Sequence, residues 1–246
     1  MVVGVSTTPN VGVVSLFATE ISPFAPDVVT DINSQHGGKA GIWQGGMGLA
    51  TDGSRLFFAT GNGMGHENKE TPASGRSLLS TLDECVVNLG VSGNGKLALA
   101  DYFEPYEYLG MDAGDRDLGS GGVALLDPSV FSGAGVSRIA VTIGKNGKAY
   151  IMNADNLGGF KLGAGATDNV IQTITAAGAV FGGAGSYPLE GGFIYFTPVG
   201  APTVAYKVGL DASGKPLFTK AGQSADSSAG RVGVGVPTIT TCKFPK

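Results

Sequence analysis

Five residues have types and settings that can do chemistry. Asp115 and Asp117 flank an arginine in Asp115-Arg116-Asp117-Leu118. A positioned carboxylate can take a proton from a substrate. Two carboxylates beside an arginine can equally pair with it or cap a turn. Lys145 stands in Gly144-Lys145-Asn146-Gly147, a turn where a lysine is ordinarily solvated. Asn62 belongs to Thr60-Gly61-Asn62-Gly63, which is also ordinary turn chemistry. Trp43, the only tryptophan, is either a core aromatic or a flat surface for stacking. Tyr102, Phe103, Tyr106 and Tyr108 form either the wall of a pocket or the apolar contact beneath a long loop. His36 and His66 lie on polar stretches without a partner at ligand spacing. Cys85 and Cys242 show no metal spacing. They are two unpaired thiols or one disulfide, and a disulfide would imply an oxidising compartment.

The elements that must position these residues read as strands and turns. In Arg138 to Asn156, Ile139, Val141 and Ile143 alternate with Ala140, Thr142 and Gly144. A period of two marks a strand with one face buried. The Gly144–Gly147 turn follows, then the run Ala149 to Met152, which together predict a β-hairpin. The same grammar recurs. Val2 to Thr8 and Val11 to Ala18 are strand-like around Pro9-Asn10, and Ser22 to Lys39 reads as a loop. Leu49 to Thr60 is a hairpin over an Asp52-Gly53 turn. Ser77 to Leu89 fits one helical face, but the repeat frame makes Thr81 to Leu89 a strand before the Gly93-Asn94-Gly95 turn and the strand Lys96 to Tyr102. Phe103 to Asp117 reads as an acidic, aromatic loop. Thr167 to Thr175, Phe193 to Pro198 and Thr203 to Leu210 are further strands, and Arg231 to Thr240 starts another.

Composition agrees with a β-rich fold. Glycine makes up 42 of 246 residues without a Gly-X-Y period, so a collagen helix is excluded. At 42% hydrophobic residues, disorder is excluded as well. Only 15% of residues are charged and the net charge is −4, which leaves no basic groove for nucleic acid. No apolar run approaches the ~20 residues of a membrane span. Met1 to Val5 is too short for the apolar segment of a signal peptide and carries no basic flank.

Gly-rich stretches at Gly45-Gly46, Gly121-Gly122, Gly182-Gly183 and Gly233 to Gly235 each precede strand-like sequence. A period of about 50 residues, with four short strands in each, predicts an all-β fold of propeller type. One four-stranded antiparallel blade cannot bury both faces, so it packs on its neighbours about an axis. The units fall near 41–110, 117–163 and 179–222, with partial units at 1–20 and 228–241. That is about three full blades of a larger ring, or a small ring closed by joining the two ends.

On these residues the chain resembles the quinoprotein alcohol dehydrogenase-like (PQQ-repeat) β-propellers, a family that closes with eight blades. The resemblance runs from about Gly41 to Thr240. Ile42-Trp43-Gln44, about twenty residues before Ala59-Thr60-Gly61-Asn62, is similar to the tryptophan that floors the quinone and to the Gly-Thr-Gly-Asn that ends the next strand. The resemblance implies that Asn62 is a Ca²⁺ ligand. Tyr102 to Leu118 looks like the aromatic loop ending in the catalytic aspartate, which implies Asp117, with Asp115 as the alternative. Gly144 to Gly147 looks like the turn whose cation contacts the quinone oxygens, which implies that role for Lys145. The cofactors implied are PQQ and Ca²⁺, the substrate a small alcohol or sugar, and the location extracellular or secretory. The family's calcium-binding glutamate and its adjacent-cysteine disulfide have no counterpart here, and Ala59 replaces a glycine.

Two functions are open on this reading. One is a non-catalytic propeller scaffold that binds a protein or glycan on one ring face. The other is a PQQ- and calcium-dependent dehydrogenase, or a segment of one. Open blade edges also invite association into a homo-oligomer.

Overall fold

The computed structural model describes residues 1–7, 11–20, 40–63, 70–77, 79, 81–232 and 234–240. The Pro9-Asn10 turn, the Ser22 to Lys39 loop, His36, His66 and Cys242 lie outside them. The described residues form an all-β structure of four sheets in which antiparallel pairing dominates.

The first sheet is a hairpin of β1 (Val2–Ser6) and β2 (Gly12–Phe17). The second runs in chain order through β3 (Ala50–Thr51), β4 (Arg55–Ala59), β5 (Val86–Val91) and β6 (Leu97–Glu104). The third is built from β7 (Val123–Leu125), β8 (Ile139–Ile143), β9 (Lys148–Asn153) and β11 (Gln172–Thr175). Its missing number, β10 (Gly159–Phe160), crosses to the second sheet and pairs with β6 in parallel. The fourth holds β12 (Gly185–Tyr187), β13 (Phe193–Phe196), β14 (Pro202–Leu210) and β15 (Pro216–Ser227). Two of the hairpin turns are short and side-chain locked: between β3 and β4 Asp52 Oδ1 accepts the Ser54 and Arg55 amides, and between β8 and β9 Asn146 Oδ1 accepts that of Lys148.

The sheets are joined face to face by three apolar cores that follow chain order. Val2, Phe58, Val87, Leu89 and Tyr102 pack with Phe17, joining the first and second sheets. Phe57, Ala59, Val86 and Phe103 meet Ala140, Tyr150 and Met152 between the second and third. Ile139, Val141 and Ile151 meet Ile194, Phe196 and Phe218 between the third and fourth. β8 is buried at every residue, so its alternation does not separate an inner from an outer face. Both faces of the third sheet are covered, and Ala140 and Thr142 turn to one neighbour while Ile139, Val141 and Ile143 turn to the other.

Three sequence expectations are corrected. The stretch Phe103 to Asp117 is not all loop: Tyr108–Ala113 is a short helix, α1, whose Tyr108 and Met111 are fully buried at i, i+3 spacing. The strand expected over Thr81 to Leu89 begins only at Val86, because Glu84 adopts a left-handed φ of 49° that no strand accommodates. Arg231 to Thr240 forms no strand among its described residues. Its backbone at Gly235 lies against Gly182, and Ile239 lies against Gly185. No helix among the described residues is long and apolar enough to cross a membrane.

Candidate functional site

Trp43, Asn62, Asp115, Asp117 and Lys145 come together although more than a hundred residues separate the first from the last. Three segments bring them there. Trp43 precedes a 3₁₀ turn at Gln44–Gly46, and the Gln44 side chain accepts the Ala59 amide at 3.1 Å, tying this segment to the end of β4. The Gly61 amide donates to Gly41 (3.0 Å) and the Ala40 amide to the Asn62 carbonyl (2.7 Å), which laces the Trp43 and Asn62 segments together. Asp117 leads into a 3₁₀ turn at Leu118–Ser120, and Lys145 sits on the turn between β8 and β9.

Close approach is set by glycine at two points. A Cβ on Gly61 would lie 2.4 Å from Asp117 Oδ1 and 2.9 Å from Trp43 Nε1. A Cβ on Gly144 would lie 2.5 Å from the Asp117 carbonyl oxygen. Only a residue without a side chain leaves room for the Asp117 and Trp43 side chains at Gly61 and for the Asp117 backbone at Gly144.

The Asp117 carboxylate, 6% exposed, is held on both oxygens. Oδ1 accepts the Asn62 amide at 2.9 Å and Oδ2 accepts Lys145 Nζ at 2.6 Å. The Lys145 amide also donates to the Asp117 carbonyl at 2.9 Å, so the two residues are joined through backbone and side chain. Lys145 Nζ donates as well to Asp115 Oδ1 at 2.9 Å, and Asn62 Nδ2 reaches the same oxygen at 3.2 Å. The ammonium lies 5.3 Å from the centre of the half-exposed Trp43 ring, a cation–π distance. Burial pulls the Lys145 pKa down, but the hydrogen bonds to Asp117 and Asp115 outweigh it and hold the group above its ordinary value. The hydrogen bond from Lys145 holds the exposed Asp115 carboxyl below the usual range. Arg116, the nearest cation in sequence, turns away and donates to the Gly110 carbonyl at 2.7 Å.

Asn62 Oδ1 is buried without a hydrogen-bond partner. An amide oxygen in that state is an available ligand for a hard cation. Among the described residues, no group of three or more His, Cys, Asp or Glu is arranged to hold a metal ion. Of the aromatic group, Tyr102, Phe103 and Tyr108 are fully buried in the cores, and Tyr106 alone is exposed, with Lys148 above its ring. Cys85 is a free, fully buried thiol whose pKa burial pushes well up. Clefts of about 360 and 410 Å³ lie elsewhere, one on the fourth sheet around Phe193 and Tyr195, the other around Asn153, Asn156 and Asp211.

Sequence reasoning passed over the acidic residues behind the site. Glu84 is fully buried, and its Oε2 accepts the Leu118 amide at 2.5 Å. Asp112 Oδ1 accepts the Gly63 amide at 2.8 Å. A signal was available: Asp83 and Glu84 interrupt the apolar run from Leu82 to Val87. Charges at core positions must be neutralised or put to use. Comparison with protein-family models, curated proteins and solved structures finds no match for this chain.

Proposed function

We propose that this chain is a quinoprotein dehydrogenase-like β-propeller whose Trp43, Asn62, Asp117 and Lys145 form the pocket for an ortho-quinone cofactor and Ca²⁺, and that its substrate is a small alcohol or sugar. The three larger sheets serve as blades of the ring. One observation carries the reading. Residues chosen from separate stretches by their resemblance to a cofactor pocket lie within hydrogen-bonding or cation–π distance of one another.

The residues suit the groups they would meet. Trp43 offers a partly exposed ring for stacking on a flat cofactor. Asn62 Oδ1 is an unpaired oxygen suited to Ca²⁺. The bound quinone would supply the hydride acceptor, and Ca²⁺ would polarise its carbonyl oxygens. Asp117 serves as the base for the alcohol proton. Its Oδ2 is engaged by Lys145, so taking up that proton requires Lys145 to turn away. An ammonium released from Asp117 can donate instead to an oxygen above Trp43. One movement of Lys145 then frees the base and supplies the electrophilic contact.

A second reading rests on the same contact. With both Asp117 oxygens engaged and Lys145 poised over Trp43, the pocket closes upon itself, as suits a non-catalytic scaffold that takes a protein or glycan partner elsewhere on the ring. In both readings an extracellular or secretory location follows from the resemblance. Titration with PQQ and Ca²⁺, followed by absorbance and Trp43 emission, separates the two. Saturable micromolar uptake, lost in Asp117→Asn and Lys145→Ala, supports the cofactor pocket. No uptake up to about 100 µM, on the usual affinity scale, removes it and leaves the scaffold.

A further inference from the structure

Behind the pocket lies a carboxyl group that the proposed chemistry does not use. Glu84 occupies the tight turn before β5 with its backbone in the left-handed region, a costly conformation for a residue with a side chain. Its amide donates to the Gly61 carbonyl at 3.1 Å, so its backbone is tied to the Asn62 segment. Its side chain reaches the other way, to the Leu118 amide next to Asp117. The turn it sits in is fixed by Thr60, whose hydroxyl donates to the Leu82 carbonyl at 2.6 Å and accepts the Cys85 amide at 2.9 Å. Glu84 is therefore a strut between the two segments that present Asn62 and Asp117.

We infer that Glu84 is a positioning residue: through the Leu118 amide it fixes the Asp117 backbone at the spacing from Asn62 that lets Asp117 Oδ1 accept the Asn62 amide while Oδ2 meets Lys145. Three features favour this role over plain packing. A fully buried carboxyl is a costly filler where an apolar residue would serve. Oε1 has no hydrogen-bond partner, so the Leu118 contact is the side chain's one hydrogen bond. Burial, only partly offset by that hydrogen bond and reinforced by Asp112, Asp117 and Asp83 nearby, pushes its pKa up to about 9, so the strut is neutral at pH 7 and adds no charge beside Asp117.

The consequence for cofactor uptake rests on the cofactor reading of the pocket, but the positioning itself does not, and the test keeps the two apart. Glu84→Gln keeps an oxygen acceptor for Leu118, and Glu84→Ala removes it. In the 246-residue chain, hydrogen exchange at the Leu118 amide, Trp43 emission and acylation of Lys145 are compared. Glu84→Gln is expected to match the parent in Trp43 emission and Lys145 acylation and to exchange its Leu118 amide no faster. Glu84→Ala is expected to speed Leu118 exchange and Lys145 acylation at least tenfold and to shift the emission, with β8 and β9 amides still protected. If Glu84→Ala fails to fold, Glu84→Asp, which withdraws the carboxyl by one methylene, is expected to move the same readouts in the same direction. Parent-like Lys145 acylation and Trp43 emission in the Ala or Asp variant would overturn the inference, as would a Gln variant that behaves like Ala. Absence of PQQ uptake by the parent chain would defeat the cofactor pocket while leaving these three readouts to decide on Glu84.

Discussion

Replacing Glu84 by Gln should shift stability in the variant's favour progressively as pH rises. In the folded chain the carboxyl stays protonated up to about 9, whereas in the unfolded chain it ionises at its ordinary value of 4.5. Between those values the folded state holds a proton that the unfolded state has released, so stability falls as pH rises through the window. Glutamine carries no such proton. At pH 7 the window has been entered by roughly two and a half pH units, and at 1.36 kcal/mol per unit the parent loses about 3 kcal/mol that the variant keeps. For a chain of this size that is roughly 6–12 °C in midpoint temperature. The new amide hydrogens have no acceptor, which adds a cost independent of pH. The slope therefore carries the test and the offset does not. Thermal unfolding of parent and Glu84→Gln from pH 4.5 to 8.5 should give midpoints that diverge steadily in favour of the variant above pH 5. Parallel curves would show that Glu84 titrates normally and would remove the neutral strut.

Lys145→Ala leaves the Asp117 carboxylate nearly buried without its cation and should destabilise by about 3 kcal/mol, while the double variant with Asp117→Asn should recover part of that loss; denaturant unfolding of the four proteins measures the coupling. Gly61→Ala should move Asp117 or Trp43, since the added methyl would fall 2.4 Å from Asp117 Oδ1; a shift of Trp43 emission with little change in strand content is expected, and unchanged emission would contradict the packing described. Cys85 should resist a thiol reagent in the native protein and react only on unfolding, because it is fully buried and its thiolate is disfavoured; fast labelling at native pH, mapped to Cys85 by peptide analysis, would refute that burial.

Most of the strands, several of their turns and the side chains fit for chemistry were legible in the sequence. Alternation in Ile139 to Ile143 and the Asp52-Gly53 and Gly144–Gly147 turns are local signals, and local backbone preference suffices to place them. Local signals could not decide where a strand begins when a long-range bond overrides it. Thr81 to Cys85 leaves the strand because Thr60 and Gly61 claim its backbone groups. Nor could they show that α1 forms within an acidic, aromatic stretch, since its two buried side chains find their partners in other segments. The partner of Asp117 was likewise beyond local reading: Arg116 is adjacent in the chain, yet Lys145 makes the ion pair, because stacking the second and third sheets brings the β8–β9 turn against Leu118. Glu84 shows the same division. Its charge in an apolar run marked it as unusual, but only the folded chain places its carboxyl on the amide beside Asp117, since that contact spans 34 residues and depends on two turns meeting.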